Sequence, residues 1–295
     1  MSSFFKTGQS ADLLRRGFTR RDLGRLATVI TAGASLPFYN ERALAQLSMV
    51  RNMPADAVKI NANENPMGPC PEAADAIYNV VKKGGRYMYE ETFNMRDAMA
   101  ETCGVKAEYV TPYAGSSDPL HRAVLSFCSK EHPFVKADPG YEAGERAAKF
   151  IGAKTINVPL RKDTWDHDVK AMLAAHPTPG ILYVCNPNNP TGTLTSRADI
   201  EWLIANKPKE TVVLLDEAYV HISPSAVPCT DLVAQDKDLI VLRTFSKIYG
   251  MAGLRAGAAI ARPDLLDKMK DWSAGAMPIT GMVGATASLK VKSLV

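Results

Sequence analysis

The sequence has 295 residues, 46% of them apolar and 22% charged, with a formal net charge of +4. That length allows one large domain or two smaller ones with a sizeable core, and the composition is that of an ordinary soluble globular protein. The excess charge is local: residues 1–45 hold seven Lys/Arg against three acids, and the remainder is balanced, so neither nucleic acid nor an anionic surface is indicated as a partner.

Taken in chain order, the first element is a leader. Arg20 and Arg21 follow Thr19, a modestly apolar run covers residues 26–38, and the small-residue site Ala43-Leu44-Ala45 closes it. This is the three-part pattern of an export signal, and the arginine pair points to the twin-arginine route with cleavage after Ala45. The apolar run is too short to span a membrane comfortably, so the expected location is periplasmic or exported, with no membrane attachment once the signal is removed. An uncleaved anchor or an amphipathic N-terminal helix is the alternative. Residues 46–84 then read as an extended arm, "VKINANENPMGP", feeding a short helix.

From residue 85 to about 275 the pattern is regular. "RDAMAETCGV" is helical and ends at Gly104. Helical "HRAVLSFCSK" precedes the short strand "HPFVKADP", and amphipathic "YEAGERAAKFIGA" precedes the strand "KTINVPL". Next come the helix "DVKAMLAAH", the apolar strand "GILYVCNP" and the helix "SRADIEWLIANK", with Ser196 as a plausible cap. The strands "TVVLLDEAY" and "DLIVLRTFS" and a helix with Pro263 in its first turn follow. Apolar, β-branched strands alternating with amphipathic helices imply an α/β fold, a three-layer sandwich whose mostly parallel sheet is covered on both faces. Ligands of such sheets sit at the carboxyl ends of the strands. Residues 276–295 read as the start of a connecting helix, with a smaller C-terminal domain expected to be largely missing.

The polar residues gather at those strand ends. Asp216 closes the apolar run "TVVLL"; a carboxylate there is desolvated unless paired, so it is a helix cap, a structural ion pair, or an anion holding a cation or a protonated ring nitrogen. Tyr219 follows three residues on. "CNPNNPTG", with Asn189, is a constrained turn that can present a rigid amide. Gly115, Ser116 and Ser117 open a helix, where backbone N–H groups and hydroxyls favour an anion, most naturally a phosphate. "TFSKIYGMAGLR" adds Thr244, Ser246 and Arg255 around Lys247. The five cysteines form no C-x-x-C pair and the five histidines show no ligand spacing, so no metal site is expected.

The set "NANENPMGP", "RY" at 86–87, "GSSD", "CNPNNPTGT", "DEAY" and "TFSKIYGMAGLRAG", in this order, resembles the fold type I family of pyridoxal-phosphate-dependent aminotransferases (class I/II), closest by motif to the histidinol-phosphate aminotransferase subgroup. The match spreads over most of residues 60–257, and the lysine and "NPNNPTG" motifs are its specific parts. The resemblance implies pyridoxal 5'-phosphate as cofactor. Lys247 would bond it covalently and move the substrate proton, and Asp216 would hold its ring N–H. Asn189 and Tyr219 would bond its phenolic oxygen. Gly115, Ser116, Ser117, Thr244, Ser246 and Arg255 would hold its phosphate, and Tyr141 would stack on its ring. Tyr87 matches a tyrosine that reaches the phosphate of a neighbouring subunit, which implies a homodimer, and Asn63 lies in a segment lining the substrate side. The implied reaction moves an amino group between an L-amino acid, or a histidinol-phosphate-like amine, and a 2-oxo acid. A decarboxylase or carbon–sulfur lyase of the same fold, or a non-catalytic protein that binds the cofactor, remains an alternative. The overlapping S-x-x-K and K-T-G at Ser3–Lys6–Gly8 lie in the leader and are read as chance rather than as a lactamase signature.

Overall fold

The computed structural model describes residues 58–272 and 275–294. The expected export leader, with Arg20, Arg21 and the Ala45 site, lies outside the described residues. The chain divides between Glu64 and Asn65 into two units. The first is described only over residues 58–64, without regular secondary structure.

The second unit is built on a seven-stranded sheet in the order β1-β7-β6-β5-β4-β2-β3. The strands are β1 (Val110–Tyr113), β2 (Phe134–Asp138), β3 (Thr155–Pro159), β4 (Ile181–Cys185), β5 (Val212–Asp216), β6 (Leu239–Thr244) and β7 (Gly257–Ile260). Neighbours are parallel except at β7, which runs antiparallel to both β6 and β1. The sheet is therefore mostly parallel, as the alternating pattern requires, and β1, β2, β4, β5 and β6 all end on one edge.

Helices cover both faces. One face packs α2 (Glu90–Cys103), α5 (Val169–Ala174), α6 (Arg197–Asn206), α7 (Thr230–Ala234) and α9 (Ile279–Leu289) against Val135, Leu182, Val184, Val213, Leu215 and Val241. The other packs α3 (Ser117–Phe127), α4 (Ala143–Phe150) and α8 (Pro263–Lys270) against Phe134, Tyr183, Leu214, Ile240 and Leu242. The two sets alternate along each strand, which is the period-two signature of a strand buried on both sides. The remaining helix, α1 (Pro71–Val80), lies against α9.

Local signals hold where they have a mechanism. Ser196 Oγ accepts the Asp199 N–H at 3.0 Å and caps α6, Pro263 begins α8, and Gly104 ends α2 in the left-handed conformation at φ 65°. Helix α2 starts six residues earlier than the apolar pattern suggests, at Glu90, where two glutamates complement the helix dipole. Among the described residues no helix is long and apolar enough to cross a membrane, and no group of three or more His, Cys, Asp or Glu could hold a metal ion. Cys103, Cys128, Cys185 and Cys229 are buried.

Candidate active site

The carboxyl edge of the sheet collects the polar segments. β5 delivers Asp216, whose register partner on β4 is Cys185, the residue before the asparagine turn. β6 ends at Thr244 and leads directly into Phe245, Ser246 and Lys247. β1 ends at Tyr113, and α3 begins four residues past it, at Ser117. Parallel strands thus bring together residues scattered between Tyr113 and Lys247.

Asp216 is 3% exposed. The Tyr183 hydroxyl donates to its Oδ2 at 2.9 Å and the Ala218 N–H to its Oδ1 at 3.1 Å. Burial outweighs these donors and pushes the carboxyl up to about 6. Such a group is an anion in need of a cation. Lys247 lies close enough for its charge to favour the ionised form, and its Nζ sits 5.5 Å from the Tyr219 ring centroid.

The phosphate-type donors converge from two directions. Thr244 Oγ1 accepts the Ser246 N–H at 3.1 Å and donates to Ser246 Oγ at 3.0 Å. Arg255 Nη1 reaches Ser246 Oγ at 3.4 Å and the Ala252 carbonyl at 2.8 Å, while Nη2 reaches the Ala114 carbonyl at 3.3 Å. The guanidinium therefore ties the loop after β6 to the loop before α3. Ser116 occupies the N-cap position of α3 with its hydroxyl not used as a cap, and Ser117 Oγ lies 3.5 Å from the Tyr141 hydroxyl.

Glycines make this convergence possible. Gly115 has φ +88°, and a Cβ there would stand 2.3 Å from Arg255 Nη2. Gly257 is the register partner of both Tyr113 and Thr244. A Cβ on it would meet the Gly115 carbonyl carbon at 2.5 Å and Ser116 N at 2.7 Å. The first turn of α3 can lie across the end of β7 only because nothing protrudes there.

The asparagine turn is held rigidly. Asn186 Nδ2 donates to the Thr195 carbonyl and its Oδ1 accepts the Thr195 N–H, at 3.1 and 2.9 Å. Asn188 Nδ2 donates to the Pro139 carbonyl at 3.2 Å and to Thr191 Oγ1 at 2.8 Å. Asn189, next to Asn188 in the same turn, is 7% exposed, and the Pro139 contact joins this turn to the loop that carries Tyr141.

Of the sequence-derived candidates, Gly115, Ser116, Ser117, Tyr141, Asn189, Asp216, Tyr219, Thr244, Ser246, Lys247 and Arg255 all lie on the carboxyl edge. Tyr87 stays outside this set: it is 68% exposed, with its ring stacked on Tyr89 at 5.5 Å. Asn63 belongs to the first unit, exposed and with φ 49°. Sequence reasoning missed Tyr183, Asn188 and the neighbours of Arg243. Tyr183 had one available signal, a lone hydroxyl in the otherwise apolar strand "ILYVC".

The three-layer fold, with its mostly parallel sheet, is that of the fold type I aminotransferases. Residues 55–290 match the family model for aminotransferase class I and II, and the chain belongs to that family. It is 38% identical over 216 residues to histidinol-phosphate aminotransferase 1 of Nitrosococcus oceani, covering 72% of this chain and 58% of that protein. It is 34% identical over 241 residues to an aromatic amino acid aminotransferase of Rhodococcus jostii, covering 81% and 67%. The crystal structure of histidinol-phosphate aminotransferase from Sinorhizobium meliloti in complex with pyridoxal-5'-phosphate superposes with a TM-score of 0.76 at 27% identity, over 88% of this chain and 70% of that one. The chain spans less than two thirds of the length of several curated relatives, 55 to 58% for three histidinol-phosphate aminotransferases.

Proposed function

We propose that the chain carries the pyridoxal-5'-phosphate site of an aminotransferase that moves an amino group between an L-amino acid, or a histidinol-phosphate-like amine, and a 2-oxo acid. The observation that carries this is Asp216, a fully buried carboxylate with a raised affinity for protons beside Lys247. Without a cation such a carboxylate costs stability; a protonated pyridine nitrogen satisfies it. The donor set fits the rest of the cofactor: hydroxyls, a guanidinium and a helix N-terminus suit a phosphate dianion.

When bound, the cofactor supplies an electron sink for the substrate α-carbon. Asp216 keeps the ring nitrogen protonated. Gly115, Ser116, Ser117, Thr244, Ser246 and Arg255 would hold the phosphate, Asn189 and Tyr219 would bond the phenolic oxygen, and Tyr141 would pack on the ring. Lys247 would hold the cofactor through its amine, and that amine would be the group that accepts and returns the substrate α-proton. Residues 85–275 would form the cofactor domain, and Tyr87 would serve a second subunit. The relatives' names place imidazole and aromatic amines first among donors to test.

The test is spectral and chemical. The purified protein loaded with pyridoxal 5'-phosphate is expected to be yellow and to form a 2-oxo acid from an amino donor. Lys247→Ala is expected to lose both the yellow absorbance and turnover. Full activity in that variant overturns the assignment, and release of carbon dioxide or sulfide in place of oxo acid identifies a decarboxylase or lyase.

We further propose export through the twin-arginine route, supported by Arg20, Arg21 and the Ala43–Ala45 site. A reporter fused after residues 1–45 is expected to reach the periplasm, and Arg20→Lys with Arg21→Lys is expected to retain it inside. Equal export of both fusions contradicts that route.

A further inference from the structure

Behind the site, on the sheet face turned away from Asp216, lies a second polar set. Glu217 and Arg243 are 2% and 6% exposed. Arg243 Nε and Nη2 both donate to Glu217 Oε2, at 2.7 and 2.6 Å, and Glu217 Oε1 accepts the Cys229 N–H at 2.7 Å. The remaining arm, Nη1, sits 2.7 Å from His221 Nε2. Arginine can only donate, so Nε2 is the acceptor, the imidazole proton is on Nδ1, and the ring is neutral. Burial first, and the Arg243 charge second, push this imidazole down to about 4, so the bond persists across the ordinary assay range.

Glu217 and His221 are the two ends of a tight turn. Val220 N–H donates to the Glu217 carbonyl at 3.2 Å and Ile222 N–H to the Tyr219 carbonyl at 3.0 Å. Tyr219 stands at its middle, with the Lys247 amine over its ring. Arg243 is four residues before Lys247 on the strand that delivers it. One guanidinium thus links the backbone carrying Tyr219 to the backbone carrying Lys247.

We propose that His221 is a positioning residue: by accepting the third arm of Arg243 it holds the 217–222 turn so that the Tyr219 hydroxyl meets the phenolic oxygen of bound pyridoxal 5'-phosphate. This rests on the cofactor assignment above. The competing role is packing, since the His221 ring also meets Tyr249 edge-on at 6.2 Å. The two roles ask for different atoms. Glutamine keeps an acceptor near the Nε2 position without a ring, and phenylalanine keeps a ring without an acceptor.

The full chain loaded with pyridoxal 5'-phosphate, as wild type, His221→Gln and His221→Phe, is titrated for the pH midpoint of its visible absorption. Amide exchange of residues 218–222 is followed in the same three proteins without cofactor. A hydroxyl donating to the phenolic oxygen stabilises its anionic form, so loosening Tyr219 raises the midpoint, by about half a pH unit or more in His221→Phe. Exchange in the turn is expected to be roughly tenfold faster in that variant. His221→Gln is expected to match wild type in both readouts. If His221→Phe does not fold, His221→Leu takes its place, with the same expectation. The reverse order, with phenylalanine normal and glutamine shifted, overturns the proposal in favour of packing, and an unchanged midpoint in every variant overturns it outright. A wild type with no visible band overturns the cofactor assignment and this role with it, an outcome distinct from either.

Discussion

Asp216 is the residue on which the site's electrostatics turn. In the cofactor-free protein its carboxyl is raised from 3.8 to about 6. A raised folded-state value means that this group's contribution to stability is present below pH 3.8 and lost as pH rises through 6. The loss amounts to about 2–3 kcal/mol for a shift of this size in a fully buried group. Asp216→Asn is therefore expected to stabilise the cofactor-free protein at pH 8 by about 1–3 kcal/mol, with the gain shrinking toward pH 4. Urea unfolding at the two pH values measures this. Bound pyridoxal 5'-phosphate is expected to reverse the sign, because only the carboxylate pairs with a protonated ring. Asp216 was legible in the sequence as a charge ending an apolar run. Tyr183 was not: an inward tyrosine in a buried strand resembles core until the pairing of Cys185 with Asp216 places its hydroxyl on the carboxylate. His221 was one of five scattered histidines for the same reason, since it lies in a turn and its partner Arg243 lies 22 residues away on β6.

Among the elements, β7 shapes the proposed phosphate cradle, and like β1 it is a strand that the sequence pattern did not reveal. "GAAI" has small residues and weak strand preference. It becomes a strand because β1 and β6 supply hydrogen bonds on both sides. Its first residue, Gly257, leaves the gap through which Gly115 and Ser116 pass. Gly257→Ala is expected to push that backbone aside, at a cost of about 1–3 kcal/mol in unfolding free energy. Phosphate affinity is expected to fall with it, measured by titrating the protein with pyridoxal 5'-phosphate. An alanine variant with wild-type stability and affinity contradicts the close approach. By contrast, the Ser196 cap and the Pro263 helix start were legible, because a cap acts within its own turn and needs no distant partner.

At the scale of the whole molecule, the described surface carries large exposed apolar side chains close together in sequence. Tyr78, Tyr87, Tyr89 and Phe93 are between 56% and 75% exposed. Tyr87 is the residue that the family resemblance assigns to a second subunit, so this stretch is where the proposed homodimer is to be tested. Tyr89→Glu with Phe93→Glu is expected to convert a dimer to monomer in size-exclusion chromatography with light scattering. Both residues are exposed in the single chain, so folding is expected to survive. A wild type that elutes as a monomer at micromolar concentration contradicts the dimer. The alternation of apolar strands with amphipathic helices announced a covered parallel sheet, and the motifs announced its carboxyl edge as the site. The order of the strands and the reversal of β7 were not readable, because pairing joins segments that local pattern treats separately.

What the sequence determined by itself was each group of residues acting within one turn or one strand: caps, alternation, the glycine–serine helix start, and the lysine motif with its flanking hydroxyls. These follow from chemistry whose range is a few residues. Tertiary structure alone decided which groups meet: Tyr183 with Asp216, Asn188 with Pro139, and Arg243 with Glu217 and His221. Each of those contacts joins residues between 22 and 49 positions apart. Burial decided the rest, since the same carboxylate that would titrate normally in water is held near pH 6 where the sheet excludes solvent.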